Sequence, residues 1–458
     1  MQRSQYNFMP IARLSRLLTS LFLALSSVVL ANPGATTHPA LTAKELVKAA
    51  IEKHPDLASF AARLEKAGAQ SRESAAARLP RLAVEARADH YSDPTRIRPV
   101  TGGNQPGAFS RDLWSGDLVL RWTAYSGGRL SAAEEAARLL EEASGADLRF
   151  FQERMATRVA ELYFEFAALK SIIRASDKTL QSLSEQSRQV DHLLEQGKAA
   201  EVDRMRLEVR AATVEQSLIE QRNDRKSLRA SINFMVGRPL DDQWESVELK
   251  EESVSGESKP TLLAGGLSER SDLEASRLRV SAAESGTRQA EAAWRPEIQL
   301  FTSYGQQGDW SGREDYDSSR IGLQLTWDIW DAGRRSARVD AARATYDARE
   351  AEWASLSENR RLQLLTARDN LASARKRLGV ASLATRTAAE SLRIEQNKYG
   401  QGKGTIIDVL DAEAAALEAE SLFIRAEADV KINRVAVDFA RGAALSPEAA
   451  CACLRLQP

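Results

Sequence analysis

Tyr399-Gly-Gln-Gly-Lys-Gly-Thr-Ile-Ile-Asp-Val-Leu-Asp411 separates two long helical patterns that contain no proline. Its glycines mark a place where one helix stops and the chain turns back into another. An echo lies 205 residues earlier, Leu194-Glu-Gln-Gly-Lys-Ala-Ala-Glu-Val-Asp203, so that Gly197, Lys198 and Asp203 match Gly402, Lys403 and Asp408 at one offset. Both stretches read as the tips of helical hairpins, and two copies of one long hairpin organise the chain.

The same offset of 205 relates Trp122, Gly128 and Gly237 to Trp327, Gly333 and Gly442. Asp56-Leu57 and Pro80 match Asp272-Leu273 and Pro296 at 216, so an 11-residue difference falls between the strands. Helices keep their length while a loop drifts, as expected of rigid elements joined by a tolerant connection. Within each repeat, 67 residues (Arg129–Glu195 and Arg334–Gly400) run without a breaker, about 100 Å of helix at 1.5 Å per residue. Val339, Tyr346 and Trp353, then Leu364, Leu371, Leu378, Leu392 and Tyr399, mark heptads separated by one step of 11, a mixture that favours nearly straight packing.

Before each long helix the period changes to two. Arg81–Tyr91 and Leu118–Tyr125 alternate in the first repeat, with Ser92–Arg111 reading as a long loop between them. Ile298, Leu300, Thr302 and Tyr304, and Ile321, Leu323, Leu325, Trp327 and Ile329, alternate in the second. Leu41–Leu79 reads as one helix capped by Thr42 with Glu45 three residues on. A half-buried sheet in a soluble domain shows the same alternation, but an isolated strand pair is not stable in water. In a membrane, four strands leave open edges that lipid cannot satisfy, so several chains must pool them; three chains give about twelve strands, within the outer-membrane range. Trp114, Tyr304, Trp310 and Tyr316 toward one end, and Trp122, Trp294, Trp327 and Trp330 toward the other, suit two interfacial girdles.

Composition agrees with long helices: 28% charged, 6% aromatic, formal net charge −1. That balance argues against a nucleic-acid partner. Residues 1–31 read as a secretory signal peptide, with Arg3, Arg13 and Arg16 before an apolar run from Leu17 to Leu30 and small residues at a cut after Ala31. Their removal takes the net charge from −1 to −4. The only cysteines, Cys451 and Cys453, lie in the tail and are too closely spaced for an unstrained disulfide. Four histidines form no ligand spacing, and no nucleophile motif or phosphate loop is present, so neither an enzyme nor a cofactor is expected.

Three features together resemble the TolC-like outer membrane efflux and secretion channel family: a helix ending in Leu79-Pro80 and Arg295-Pro296 before a strand; the strand exit Trp327-Asp-Ile-Trp-Asp-Ala-Gly-Arg334, echoed at Trp122–Arg129; and the tip itself. The resemblance covers about Leu41 to Gly442. It implies a mainly α fold with membrane β: a helical-hairpin tunnel plus four strands per chain in a 12-stranded barrel of a homotrimer, set in outer membrane lipid and reaching into the periplasm. It implies a passive exit duct for tripartite efflux or type I secretion, joined through a periplasmic adaptor (membrane fusion) protein to an inner-membrane transporter of RND, ABC or MFS type. The segments expected are a signal peptide (1–31), a first repeat (41–240), a polar linker or equatorial segment (241–262), a second repeat (263–442) and a tail (443–458).

By the same resemblance, Asp408 and Asp411 ring the narrow end of the tunnel. Tyr399 hydrogen-bonds Asp203 in the closed state, and Gly197, Lys198, Gly402, Lys403 and Gly404 form the adaptor-docking tips. Gly404 stands where a family member carries Arg, so a closed state held less tightly is expected, with Lys403 and Lys198 the nearby cations. Spacing alone leaves a second reading of Asp408 and Asp411, a solvated helix start, since acids favour the first turn. A periplasmic coiled-coil adaptor or scaffold that never spans the membrane is the alternative for the whole chain; it accounts for the heptads but not for the strand pairs. Cargo is not readable.

Overall fold

The computed structural model describes residues 39–97, 109–247, 270–312 and 315–442. The expected signal peptide, the tail with Cys451 and Cys453, and most of the 241–262 segment lie outside the described residues. Thr42 caps the first helix, α1 (Ala43–Lys53): its Oγ1 accepts from Glu45 N at 3.3 Å, and Glu45 Oε2 accepts from Thr42 N at 2.8 Å. The single helix expected from Leu41 to Leu79 is two, α1 and α2 (Leu57–Ala76). Pro55 is the cause. Proline disfavours the α region for the residue before it, and His54 sits at φ −56°, ψ 134°.

Strands β2 (Arg81–Arg96) and β3 (Phe109–Tyr125) follow; β1 and β4 are the short pair Ala40–Leu41 and Glu245–Ser246. The long loop expected over Ser92–Arg111 is therefore shorter, because both strands run on into it. Pro94 is tolerated since β2 is an edge strand and its register slips between His90 and Thr95. The hairpin α3 (Arg129–Glu195) and α4 (Glu201–Met235) comes next. The start of the expected linker is not loose: Trp244 is fully buried, its Nε1 donating to Asn233 Oδ1 at 2.7 Å, and β4 pairs in parallel with β1.

The second half repeats the order with α5 (Ser271–Glu291), β5 (Glu297–Asp309), β6 (Tyr316–Thr326), α6 (Arg334–Gly400) and α7 (Ile406–Arg441). Helices α3 and α6 both have 67 residues and both start after a left-handed glycine, Gly128 at φ 94° and Gly333 at φ 86°. Strand β6 stops at Thr326, so Trp327 and Ile329 do not extend it as the alternation suggested. Trp327 serves instead as a hook: its Nε1 donates to Trp294 O at 3.2 Å, as Trp122 Nε1 donates to Arg78 O at 2.9 Å in the first half. Each closes a carbonyl left open where the preceding helix ends.

The four long strands form one antiparallel sheet in the order β2-β3-β5-β6, with β2 and β6 at its free edges. Directly paired residues share a face. One face carries Leu82, Val84, Leu120, Trp122, Leu323 and Leu325; the other carries Arg81, Glu85, Arg121 and Arg320. Trp114, Tyr304 and Trp122 lie on the apolar face. Tyr316 pairs with Gln307 on the charged face, so it does not join the expected girdle.

Below the sheet, α3 packs against α2, α4, α5 and α7, while α6 packs mainly against α5 and α7. Helix α7 ends on the start of α5, where buried Arg270 donates from Nη1 to Phe439 O and Ala440 O, both at 3.2 Å, and pairs with Asp272. The outer flanks are α2 with α4 on one side and α6 on the other. Both expose apolar side chains, among them Val209 and Ile219 on α4 and Val380 and Leu383 on α6.

At the strand-to-helix turn, Gly127 has φ 64°, and a Cβ there would lie 2.6 Å from Arg295 Cβ and 3.0 Å from Ala292 O. Its counterpart in the second half is Ala332, at φ 55°. A left-handed non-glycine residue costs ~1–2 kcal/mol, so Ala332→Gly should raise thermal stability in detergent and Gly127→Ala should lower it by more than that amount. Equal melting temperatures for the two variants would contradict this geometry.

Candidate functional site at the hairpin tips

Both tips close with one backbone device. Gly197 N donates to Leu194 O at 2.9 Å and Lys198 N to Leu193 O at 2.8 Å; Gly402 N donates to Tyr399 O and Lys403 N to Lys398 O, each at 2.9 Å. This is the Schellman pattern, and it requires the left-handed glycine at φ 67° or 72°. The lysines match as well. Lys198 Nζ donates to Gln196 Oε1 at 3.1 Å and Lys403 Nζ to Gln401 Oε1 at 3.3 Å. Gly197, Lys198, Gly402 and Lys403 are exposed, and a Cβ on either glycine would meet nothing within 4 Å. Gly404 differs. A Cβ there would stand 3.1 Å from Lys398 Cβ and 3.3 Å from Tyr399 N, so a large side chain would press on the end of α6.

The second helix of each hairpin begins on an acid. Asp408 Oδ2 accepts from Thr405 N at 3.1 Å and from Thr405 Oγ1 at 2.7 Å, while Thr405 Oγ1 accepts from Asp408 N at 3.3 Å. Those bonds to Thr405 hold the exposed carboxyl below its ordinary pKa, so Asp408 stays charged through the neutral range. In the first hairpin only half of the arrangement survives, because Ala200 stands where Thr405 does; Asp203 Oδ2 accepts from Ala200 N at 3.4 Å and Asp203 pairs with Arg206 at 3.5 Å. Asp411 is exposed one helical turn beyond Asp408 and on the same side of α7.

Tyr399 and Asp203 are brought close without the expected hydrogen bond. Burial, and secondarily the charge of Asp203, push the Tyr399 phenol above its ordinary pKa, yet the Asp203 carboxylate is engaged by Ala200 N and Arg206. Tyr399 packs instead on an apolar cluster shared by both hairpins, in which Val190 and Leu207 of the first meet Ile406, Val409 and Leu410 of the second. The two tips therefore move against each other only by disturbing this cluster.

One polar group inside that contact escapes sequence reading. Glu413 on α7 is buried, accepting from Gln186 Nε2 at 3.3 Å across the hairpin boundary. Nothing in its spacing distinguishes it from exposed acids on neighbouring turns. Thr405, by contrast, is legible from the Thr-x-x-Asp spacing. Among the described residues no cluster of histidine, cysteine and acid could hold a metal ion. No described helix is long and apolar enough to cross a membrane.

Burial pushes Glu413 above the ordinary carboxylate pKa, outweighing its bonds to Ser182 and Gln186 and the charge of Arg210. Between the ordinary and the raised value the folded state holds a proton that the unfolded state releases, so stability falls as pH rises through that window. Glu413→Gln is therefore expected to raise the melting temperature at pH 8 and to leave it unchanged below the ordinary carboxylate pKa. A loss of stability at pH 8 would mean that the charged form is the favoured one.

The outer membrane efflux protein family model matches residues 46–238 and 263–443. Multidrug resistance outer membrane protein MdtQ of Escherichia coli is 26% identical over 320 residues, covering 65% of this chain and 64% of that protein; the chain thus matches just under two thirds of that relative's length. Outer membrane efflux protein BepC of Brucella suis is 24% identical over 350 residues, 75% of each chain. Among solved structures, the outer membrane protein VceC of Vibrio cholerae aligns with TM-score 0.73 at 20% identity, over 87% of this chain and 96% of its own. The CmeC outer membrane channel of Campylobacter jejuni aligns with TM-score 0.76 at 16% identity, over 96% and 94%. These likenesses show the fold.

Proposed function

The chain belongs to the outer membrane efflux protein family, and on that premise we propose that it is the outer-membrane exit duct of a tripartite efflux or type I secretion system. The observation that carries the reading is the four-stranded sheet, apolar on one face, charged on the other and open at both edges. An apolar face turned to lipid cannot leave strand edges unpaired, so copies of the chain must close the sheet into a barrel. Three copies would give about twelve strands. The exposed flanks of α4 and α6 fit the same closure, since a head-to-tail contact between unlike surfaces builds a ring.

In that ring the repeats at 41–240 and 263–442 each supply one strand pair and one hairpin. The tips converge in the periplasm, where Gly197, Lys198, Gly402, Lys403 and Gly404 form the surface for a periplasmic adaptor and, through it, an inner-membrane transporter. Asp408 and Asp411 from three chains would place about six carboxylates near one axis and draw in cations. Asp408 also completes the capping box with Thr405 at the start of α7, so the capping and pore readings are compatible. Tyr399 and Asp203 would act at the tip contact as neighbours whose spacing changes on opening. The duct would perform no chemistry of its own. A periplasmic adaptor fits less well, because two equal hairpins alternate with strand pairs that share one sheet.

Reconstituted into a planar bilayer, the protein is expected to form cation-preferring channels that multivalent cations block from the tip side. Asp408→Ala with Asp411→Ala should weaken that block several-fold, roughly as expected on removing a ring of fixed charge. Channels with unchanged block would take the two acids out of the pore, and an absence of channels would overturn the duct reading itself.

A further inference from the structure

Phe301 lies on the charged face of the sheet, where an aromatic side chain gains least. Its row reads Arg81, Arg121, Phe301, Gly322 across β2, β3, β5 and β6. The next rows on that face carry Ser303 with Arg320, then Glu85, which forms an ion pair with Arg121 of Phe301's own row, and then Gln307. Phe301 and Gly322 are directly paired, and a Cβ on Gly322 would fall 2.6 Å from Phe301 Cζ, 3.0 Å from Cε1 and 3.3 Å from Cε2. The far end of the ring therefore occupies the space that any side chain at 322 would need. Glycine inside a strand costs stability, and here its missing side chain is the seat of the ring.

We propose that Gly322 seats Phe301 against the inner wall of the barrel and that this pair sets the width of the outlet for bulky cargo. The inference rests on the pooled-barrel reading, which turns the charged face inward. Eight strands leave an interior filled by side chains, and ~16–18 leave a wide aqueous channel. A barrel of intermediate size is one in which three inward-pointing phenyl rings make a difference. Arg121 flanks Phe301 on β3, and Gln299 and Ser303 flank it along β5, so a ring lifted off position 322 has only the lumen to enter.

The test adds polyethylene glycols of graded size to the barrel side of the full-length protein in a planar bilayer and reads the largest that enters. Applied from that side, they report on the barrel separately from the tip. Gly322→Ala adds almost no bulk of its own and is expected to abolish entry of the largest polymers that the wild type admits. Gly322→Val should act in the same direction and more strongly. Combining Gly322→Ala with Phe301→Ala should restore the wild-type cut-off, a rescue that a general loss of folding would not give. An unmoved cut-off in both single variants, or failure of the double variant to restore it, overturns the proposal. A protein that conducts with an unmoved cut-off refutes this inference alone, whereas one that conducts no current refutes the pooled barrel.

Discussion

The constraint on which the structure depends is the unpaired backbone along β2 and β6. Within one chain the sheet has two free edges and an apolar face, a combination stable neither in water nor in hydrocarbon. Other features accommodate that incompleteness. The long helices bury one side against neighbours of the same chain and leave apolar residues on the outer flanks, so the same two sides are open in the sheet and in the helices. In the proposed trimer, an interface running continuously from membrane to tip would cover the apolar surface that stays exposed in a single copy.

The junctions carry the change from strand to helix. Trp122 and Trp327 each close a helix-end carbonyl from the adjacent strand exit, and Gly128 and Gly333 start the 67-residue helices in the left-handed region. At the equator, Arg270 binds the last carbonyls of α7 and fastens them to the start of α5. His54 takes the matched place in the first half and is buried against Phe151 and Phe234. Burial lowers its pKa, which keeps the imidazole neutral. Two different residues thus serve one joint, by hydrogen bonding in one half and by apolar packing in the other.

Much of this was legible in the sequence. The tips, the two 67-residue helices and the strand exits follow from glycine placement and period, because those features are local. The break at Pro55 was legible too, through the bias proline imposes on His54, but the helical pattern on either side concealed it. The reach of β2 and β3 into the Pro- and Gly-rich stretch was not, since it depends on pairing with a partner strand. Thr405 was readable from spacing as the N-cap of α7, with Asp408 three residues on. Glu413 was not, because its burial depends on how two hairpins separated by about two hundred residues lie together. The missing Tyr399–Asp203 bond has the same origin: Arg206 and the Ala200 amide compete for the carboxylate, and only three-dimensional placement decides the winner.

In the proposed pooled barrel, the seam within the chain would also specify the seam between chains. Strand β3 meets β5 with Leu118 opposite Tyr304 and Leu120 opposite Thr302. Carrying the two repeat offsets across that pairing sets Leu323 opposite Ala88 of the next copy, and Leu325 opposite its Ala86. The most direct measurement places Leu323→Cys and Ala88→Cys in one chain whose Cys451 and Cys453 are changed to serine, oxidises the protein in outer membranes and counts the linked copies. The pooled barrel gives a ladder that stops at the closed trimer, while either single cysteine variant stays unlinked. Failure to crosslink, or a ladder that continues past three copies, would contradict it.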